Sequence, residues 1–203
     1  MIVVLLALAG FAGSTAAGIW ASRALCAGIS PLADGPAPGD AHERWVILAG
    51  ALLGALAAGH GLGLAPLALF AVVCGLLAAI WYADITRGIV PDVFTLVPLG
   101  AIAVAALAAH RPDVLLAAAI PTVPFVVLAA LTHGRGLGWG DAKLAALGGA
   151  LVGMQTAVLL FGCASLAAIV VSRVRGRRLQ PIAFAPYLVV AIALPLGLQA
   201  GVR

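Results

Sequence analysis

Apolar residues fall in long blocks separated by short polar breaks along the whole chain. The blocks run roughly over 2–20, 45–59, 63–82, 93–109, 114–131, 142–153, 156–172 and 181–200. A helix needs about 20 apolar residues to cross a bilayer, so the pattern predicts an all-α, polytopic transmembrane helix bundle of about eight spans. The sixth block is short, which is tolerated where neighbouring helices shield it from lipid. Residues 142–172 read as two helices rather than one, because Gly153-Met-Gln155 has the composition of a turn.

The polar breaks test that count. With the N-terminus outside, the odd-numbered connections face the cytoplasm. They hold Arg23, Arg44, Arg87, Arg135, Lys143, Arg173, Arg175, Arg177 and Arg178, while Arg111 and Arg203 fall on the other side. Nine of the 11 basic residues therefore share one face, as the positive-inside bias requires. Fusing 142–172 into one span would carry Arg173-Val-Arg-Gly-Arg-Arg178 to the outside and spoil the partition. The same cluster is placed to meet anionic lipid head groups, though an anchor for topology is the simpler role.

Composition narrows the class. The chain is 64% hydrophobic and 9% charged, with a mean hydropathy of +1.19. A soluble domain is about a quarter charged, and a core this apolar would lack a polar shell. The solvent is therefore a lipid bilayer. The net charge of +4 sits between apolar blocks rather than in a patch, so no nucleic-acid partner is expected. Cys26, Cys74 and Cys163 are far apart without a C-x-x-C pair, which speaks against a disulfide framework or a self-contained zinc site. His42, His60, His110 and His133 have no ligand partner at helical spacing, so no metal is expected. The first block has no basic residue ahead of it, Arg23 following instead. It reads as a retained span rather than a signal peptide. Pro31, Pro36 and Pro38 make the 21–44 connection irregular.

Three acidic residues are out of place in such a chain. Asp34, Asp40, Glu43 and Asp113 lie in connections, where water solvates them. Asp84, Asp92 and Asp141 abut or begin apolar blocks, and a carboxylate deep in a span costs about 2.5–3.5 kcal/mol unless it faces the bundle interior. Two spans separate Asp84 from Asp141, so both return to the cytoplasmic face. Two carboxyls brought together there hold one proton between them, which suits general acid–base work on an amide. Asp141 closes Gly136-Leu-Gly-Trp-Gly-Asp141, where Gly138 and Gly140 permit close backbone approach and a helix N-terminus favours negative charge. On these grounds alone other roles stay open. Asp141 can be a helix cap, Asp84 an interfacial cap or a partner of Arg87, and the pair a relay in a proton-coupled transporter. A non-catalytic scaffold of a pilus or secretion machine is also compatible.

Three ordered motifs add a resemblance. Asp84-Ile-Thr-Arg-Gly-Ile-Val-Pro-Asp92, then Val-Phe-Thr-Leu-Val-Pro98, resembles the segment around the first catalytic aspartate of type IV prepilin peptidases. Gly138-Trp-Gly-Asp141-Ala-Lys-Leu144 resembles that family's G-x-G-D stretch, and Pro181-Ile-Ala-Phe-Ala-Pro-Tyr-Leu188 the start of its last span. The resemblance implies an aspartyl endopeptidase that removes basic leader peptides from prepilins or pseudopilins at the cytoplasmic face of the inner membrane. Asp84 and Asp141 are then the catalytic pair. Gly138, Gly140, Lys143, Pro91 and Asp92 support the site or the substrate, with Asp92 as a helix-start cap. Residues 1–44 form a first span plus a short loop, and residues 45–203 the peptidase-like domain. Larger bacterial members carry a zinc-binding insert with two C-x-x-C pairs and also N-methylate their product. This loop has Cys26 alone, so a short form is implied, without zinc, other cofactor or methyl transfer. Ala183 and Ala185 replace the family's usual Pro and Gly.

Overall fold

The computed structural model describes residues 2–30, 41–61, 63–133, 137–174 and 184–199, and among these residues every regular element is an α-helix. The order is α1 (Ile2–Leu25), α2 (Ala41–Gly59), α3 (Leu64–Arg87), α4 (Asp92–Ala108), α5 (Pro112–Leu131), α6 (Trp139–Val152), α7 (Met154–Val174) and α8 (Ala185–Gln199). The eight apolar blocks thus become eight helices. Five of them, α1, α2, α3, α5 and α7, are long and apolar enough to cross a membrane, at 24, 19, 24, 20 and 21 residues. Leu69, Val104, Leu159 and many other large apolar side chains point outward. In water that surface would aggregate; facing lipid it is the expected exterior.

Helices overrun the apolar blocks where polar residues remain helical at the water boundary. The third block ends at Tyr82, but α3 continues to Arg87, so Asp84 lies within a helix rather than in a connection. Gly88 stops it, with a left-handed φ of 66° and an N–H donated to the carbonyl of Asp84 at 2.8 Å. Gly153 separates α6 from α7 with φ 84° and ψ 158°, backbone angles open almost only to glycine. The expected turn inside 142–172 is therefore real and is made by this one residue.

Two compact units divide the chain: Met1–Ile89 with Ala193–Arg203, and Val90–Ile192. In the first, α1 packs on both α2 and α3. Gly18 and Gly75 let the α1 and α3 backbones touch, and Ser14 Oγ donates to the carbonyl of Ala71 at 2.5 Å. Without a hydrophobic drive between helices in lipid, such small-residue contacts hold the bundle. Ala7, Phe11, Ala57, Leu67, Phe70 and Cys74 form the core, with Phe11 edge-on to Phe70 at 5.1 Å. In the second unit α6 packs on α4, α5 and α7. Gly149 lies against the Ala117 carbonyl of α5, and Phe125 meets Phe161 and Phe184, both at 6.0 Å. With 14 residues α6 is the shortest helix, about 21 Å long at 1.5 Å per residue. It is also among the best covered, with Leu144, Ala145, Leu147 and Gly148 all buried, as a helix shorter than the bilayer requires.

Candidate functional site

In the first unit, the C-terminal ends of α1 and α3 and the start of α2 gather at one end. Arg23 joins them: its Nε donates to the Tyr82 hydroxyl at 3.1 Å, its guanidinium lies 5.4 Å from the centre of that ring, and it pairs with Glu43. Glu43, expected to be solvated, is instead mostly covered, because α2 starts at Ala41 and presents its first turn to Arg23. Trp20 and Trp45 are exposed near the same end, the level at which indole rings settle between lipid and water. Tyr82, Asp84 and Thr86 are all buried, Asp84 to 6% exposure, and the Thr86 hydroxyl donates back to the Tyr82 carbonyl at 2.6 Å. Arg87, the sequence's alternative partner for Asp84, keeps Nε and Nη1 buried without a hydrogen-bond acceptor among the described residues.

In the second unit, the starts of α4 and α6 come together. Gly138 caps α6, and Asp141 occupies the third helical position rather than the cap itself. Its Oδ2 accepts the N–H of Gly138 at 3.1 Å while its own N–H donates to the Gly138 carbonyl, also at 3.1 Å. Asp141 is 8% exposed. Gly140 presses on Val90: a Cβ at Gly140 would stand 2.7 Å from that of Val90. Pro91 caps α4 without a side-chain bond, and Asp92 is its first residue. The Asp92 carboxylate does not cap its own helix as expected. It accepts from Lys143 Nζ at 2.5 Å.

The remaining sequence candidates are less constrained. Asp113 pairs with Arg111 on the exposed surface, as expected of a connection. Arg173 ends α7, while Arg175–Arg178, Gly136 and Pro181–Ala183 lie outside the described residues. Among the described residues no three His, Cys, Asp or Glu side chains gather as metal ligands. Sequence reasoning missed Tyr82, Glu43 and Val90. Arg23 and Glu43 are opposite charges in one connection, a signal that was legible; nothing in the sequence marks Val90.

No curated protein and no solved structure matches the chain. Residues 71–172, from the middle of α3 to near the end of α7, match the model of the type IV leader peptidase family. That stretch takes in Asp84, Pro91, Asp92 and the whole Gly138–Lys143 turn, and it spans half of the chain, which therefore belongs to the type IV leader peptidase family.

Proposed function

We propose that this membrane peptidase is an aspartyl endopeptidase that removes leader peptides from type IV prepilins or pseudopilins, with Asp84 and Asp141 as its working carboxylates. One observation carries the reading. Among the described residues, the buried charged side chains are those of Asp84 and Asp141, and both lie in the family-matched stretch. Withdrawing a carboxylate from water is expensive unless it is protonated, paired or hydrogen-bonded, and such positions in membrane helices are functional by default.

The two crossings α4 and α5 separate α3 from α6, so both aspartates belong to one membrane face. There they share a proton, since like charges in contact do not both ionise. The ionised carboxylate takes a proton from water as the water oxygen bonds to the scissile carbonyl carbon. The protonated carboxyl gives its proton to the carbonyl oxygen. Collapse of the resulting diol breaks the C–N bond: the leaving nitrogen takes a proton from the carboxyl that received the water's, and a diol hydroxyl returns its proton to the other carboxylate, which restores the singly protonated pair. The products are a leader with a new carboxylate and a shortened protein with a new amine. Gly138, Gly140, Pro91, Asp92 and Lys143 frame Asp141 and the approach to it. Neither a metal nor methylation of the new amine is expected of so short a loop after the first span.

In this reading the active site faces the cytoplasm from the inner membrane and the N-terminus lies outside, supported by the nine basic residues on one side. The leader's positive charges stay at the surface while its apolar helix lies in the bilayer. Arg173–Arg178 meets anionic head groups, at about 1 kcal/mol per basic residue. Catalysis belongs to residues 45–203, with 1–44 supplying the first span and its loop. The test is co-expression with a prepilin-type substrate, read as loss of leader mass. Asp84→Asn and Asp141→Asn, each alone, abolish cleavage at normal expression. Wild-type cleavage by both variants overturns the proposal and leaves a transporter or scaffold.

A further inference from the structure

Two contacts in the second unit hold the first turn of α6 to the start of α4. Gly140 abuts Val90, with no room between them for a methyl group. One turn along, Lys143 reaches 51 positions back in sequence to Asp92, Nζ to Oδ1 at 2.5 Å. Asp141 lies between these two anchors, its carboxylate further tied to the Gly138 N–H. The ion pair is too open to matter much for folding, with side-chain exposures of 33% for Lys143 and 58% for Asp92; pairs so exposed add little stability. Lys143 gains nothing from its own helix, standing at the fifth residue of α6, near the end where the dipole disfavours a cation, while Asp92 at the first residue of α4 makes no side-chain cap bond there. A lysine held at the wrong end of its helix by a carboxylate on another one fixes how that helix is rotated.

We propose that the Lys143–Asp92 ion pair is a positioning clamp that sets the rotation of the first turn of α6 against α4 and so aims the Asp141 carboxylate. Neither residue touches the substrate. The Gly140–Val90 contact limits how closely the two helices approach, and the ion pair limits how far α6 turns about that contact. The clamp rests on the reading of Asp141 as a working carboxylate, since aiming matters only for a group that must meet a scissile bond. Loss of aim by about 1 Å costs up to about 100-fold in rate, far more than the ion pair contributes to the fold.

The test uses the full chain, purified in detergent, with a purified prepilin-type protein as substrate, and rates are taken per folded enzyme. Asp92→Asn and Lys143→Met each lower kcat by about 10- to 100-fold with KM within about twofold of the parent. The double variant is no worse than the poorer single one, because each breaks the same clamp. Lys143→Arg and Asp92→Glu, which keep the pair, stay within a few-fold. If Lys143→Met fails to accumulate, the exchanged pair Asp92→Lys with Lys143→Asp takes its place and recovers kcat relative to Asp92→Lys alone. Losses that multiply in the double variant overturn the clamp. So does a fall in kcat with Lys143→Met but not with Asp92→Asn, which would have Lys143 act on its own. Asp141→Asn is assayed alongside. If it is inactive while Asp92→Asn and Lys143→Met are unimpaired, the clamp alone falls; if Asp141→Asn is fully active, the reading of Asp141 falls first.

Discussion

Val90 fills the room that a side chain at Gly140 would take, one residue before Asp141. A Cβ there would lie 2.7 Å from Val90 Cβ and 3.0 Å from Cγ2, and neither atom is the loose end of a flexible chain. Gly140→Ala therefore pushes the α6 start away from Val90 at a cost of about 1–3 kcal/mol. The expected result is a roughly tenfold or greater loss of cleavage rate per folded enzyme, with most of it recovered when Val90→Gly is added. A Gly140→Ala variant as active as its parent would show that the turn has slack and that Asp141 is not aimed by it. The need for glycine was legible in Gly136-Leu-Gly-Trp-Gly-Asp141, because that composition invites close backbone approach. Its partner was not, since a valine in an apolar chain carries no mark. Asp92 shows the same limit. Its place at a helix start followed from Pro91-Asp92, while its bond to Lys143 depends on how α4 and α6 are rotated, which no local pattern encodes.

The boundary between α6 and α7 rests on backbone geometry alone. Gly153 adopts φ 84°, and a Cβ built on it meets nothing within 4 Å, so any cost of adding one is conformational. Gly162, inside α7, likewise has open space around it but ordinary helical angles. Gly153→Ala is expected to lower stability by about 1–3 kcal/mol, whereas Gly162→Ala is neutral or slightly stabilising, because alanine is the better helix former. Thermal denaturation in detergent distinguishes them, and equal midpoints for the two variants would mean that α6 and α7 can run on as one helix. At this scale the sequence was informative about number and order but less so about ends. Hydropathy reports where lipid lies, and helices do not stop there: α1 runs on to Leu25 and α3 to Arg87. The extra turn of α3 keeps Asp84, buried like Tyr82, Ala83 and Thr86, in a helix instead of leaving it in a loop.

The proposed orientation of the whole molecule rests on charge. Moving one positive charge across the membrane against 100 mV costs about 2.3 kcal/mol, so exporting Arg173, Arg175, Arg177 and Arg178 together would cost more than most single packing errors. On the eight-span reading these arginines share the face of Arg23, Arg44 and Arg87, whereas seven spans would separate them. The short helices α4, α6 and α8 are the weak points in that count, α6 most of all, since about 21 Å of helix does not by itself span about 30 Å of hydrocarbon. A crossing by α6 depends on α4, α5 and α7 covering it. In a variant with Cys26, Cys74 and Cys163 replaced by Ala, single cysteines read the outcome through a membrane-impermeant maleimide. His60→Cys and Ala109→Cys, at the ends of α2 and α4, are labelled from outside intact cells. Ile89→Cys, between α3 and α4, and Gly176→Cys, after α7, are labelled only once the membrane is opened. If Ile89→Cys and Gly176→Cys react from opposite sides, α6 and α7 do not make two crossings. Asp141, which follows α4 and α5, keeps the face proposed for Asp84 in that case; what falls is the common side of Arg23, Arg44 and Arg87 with the basic run after α7.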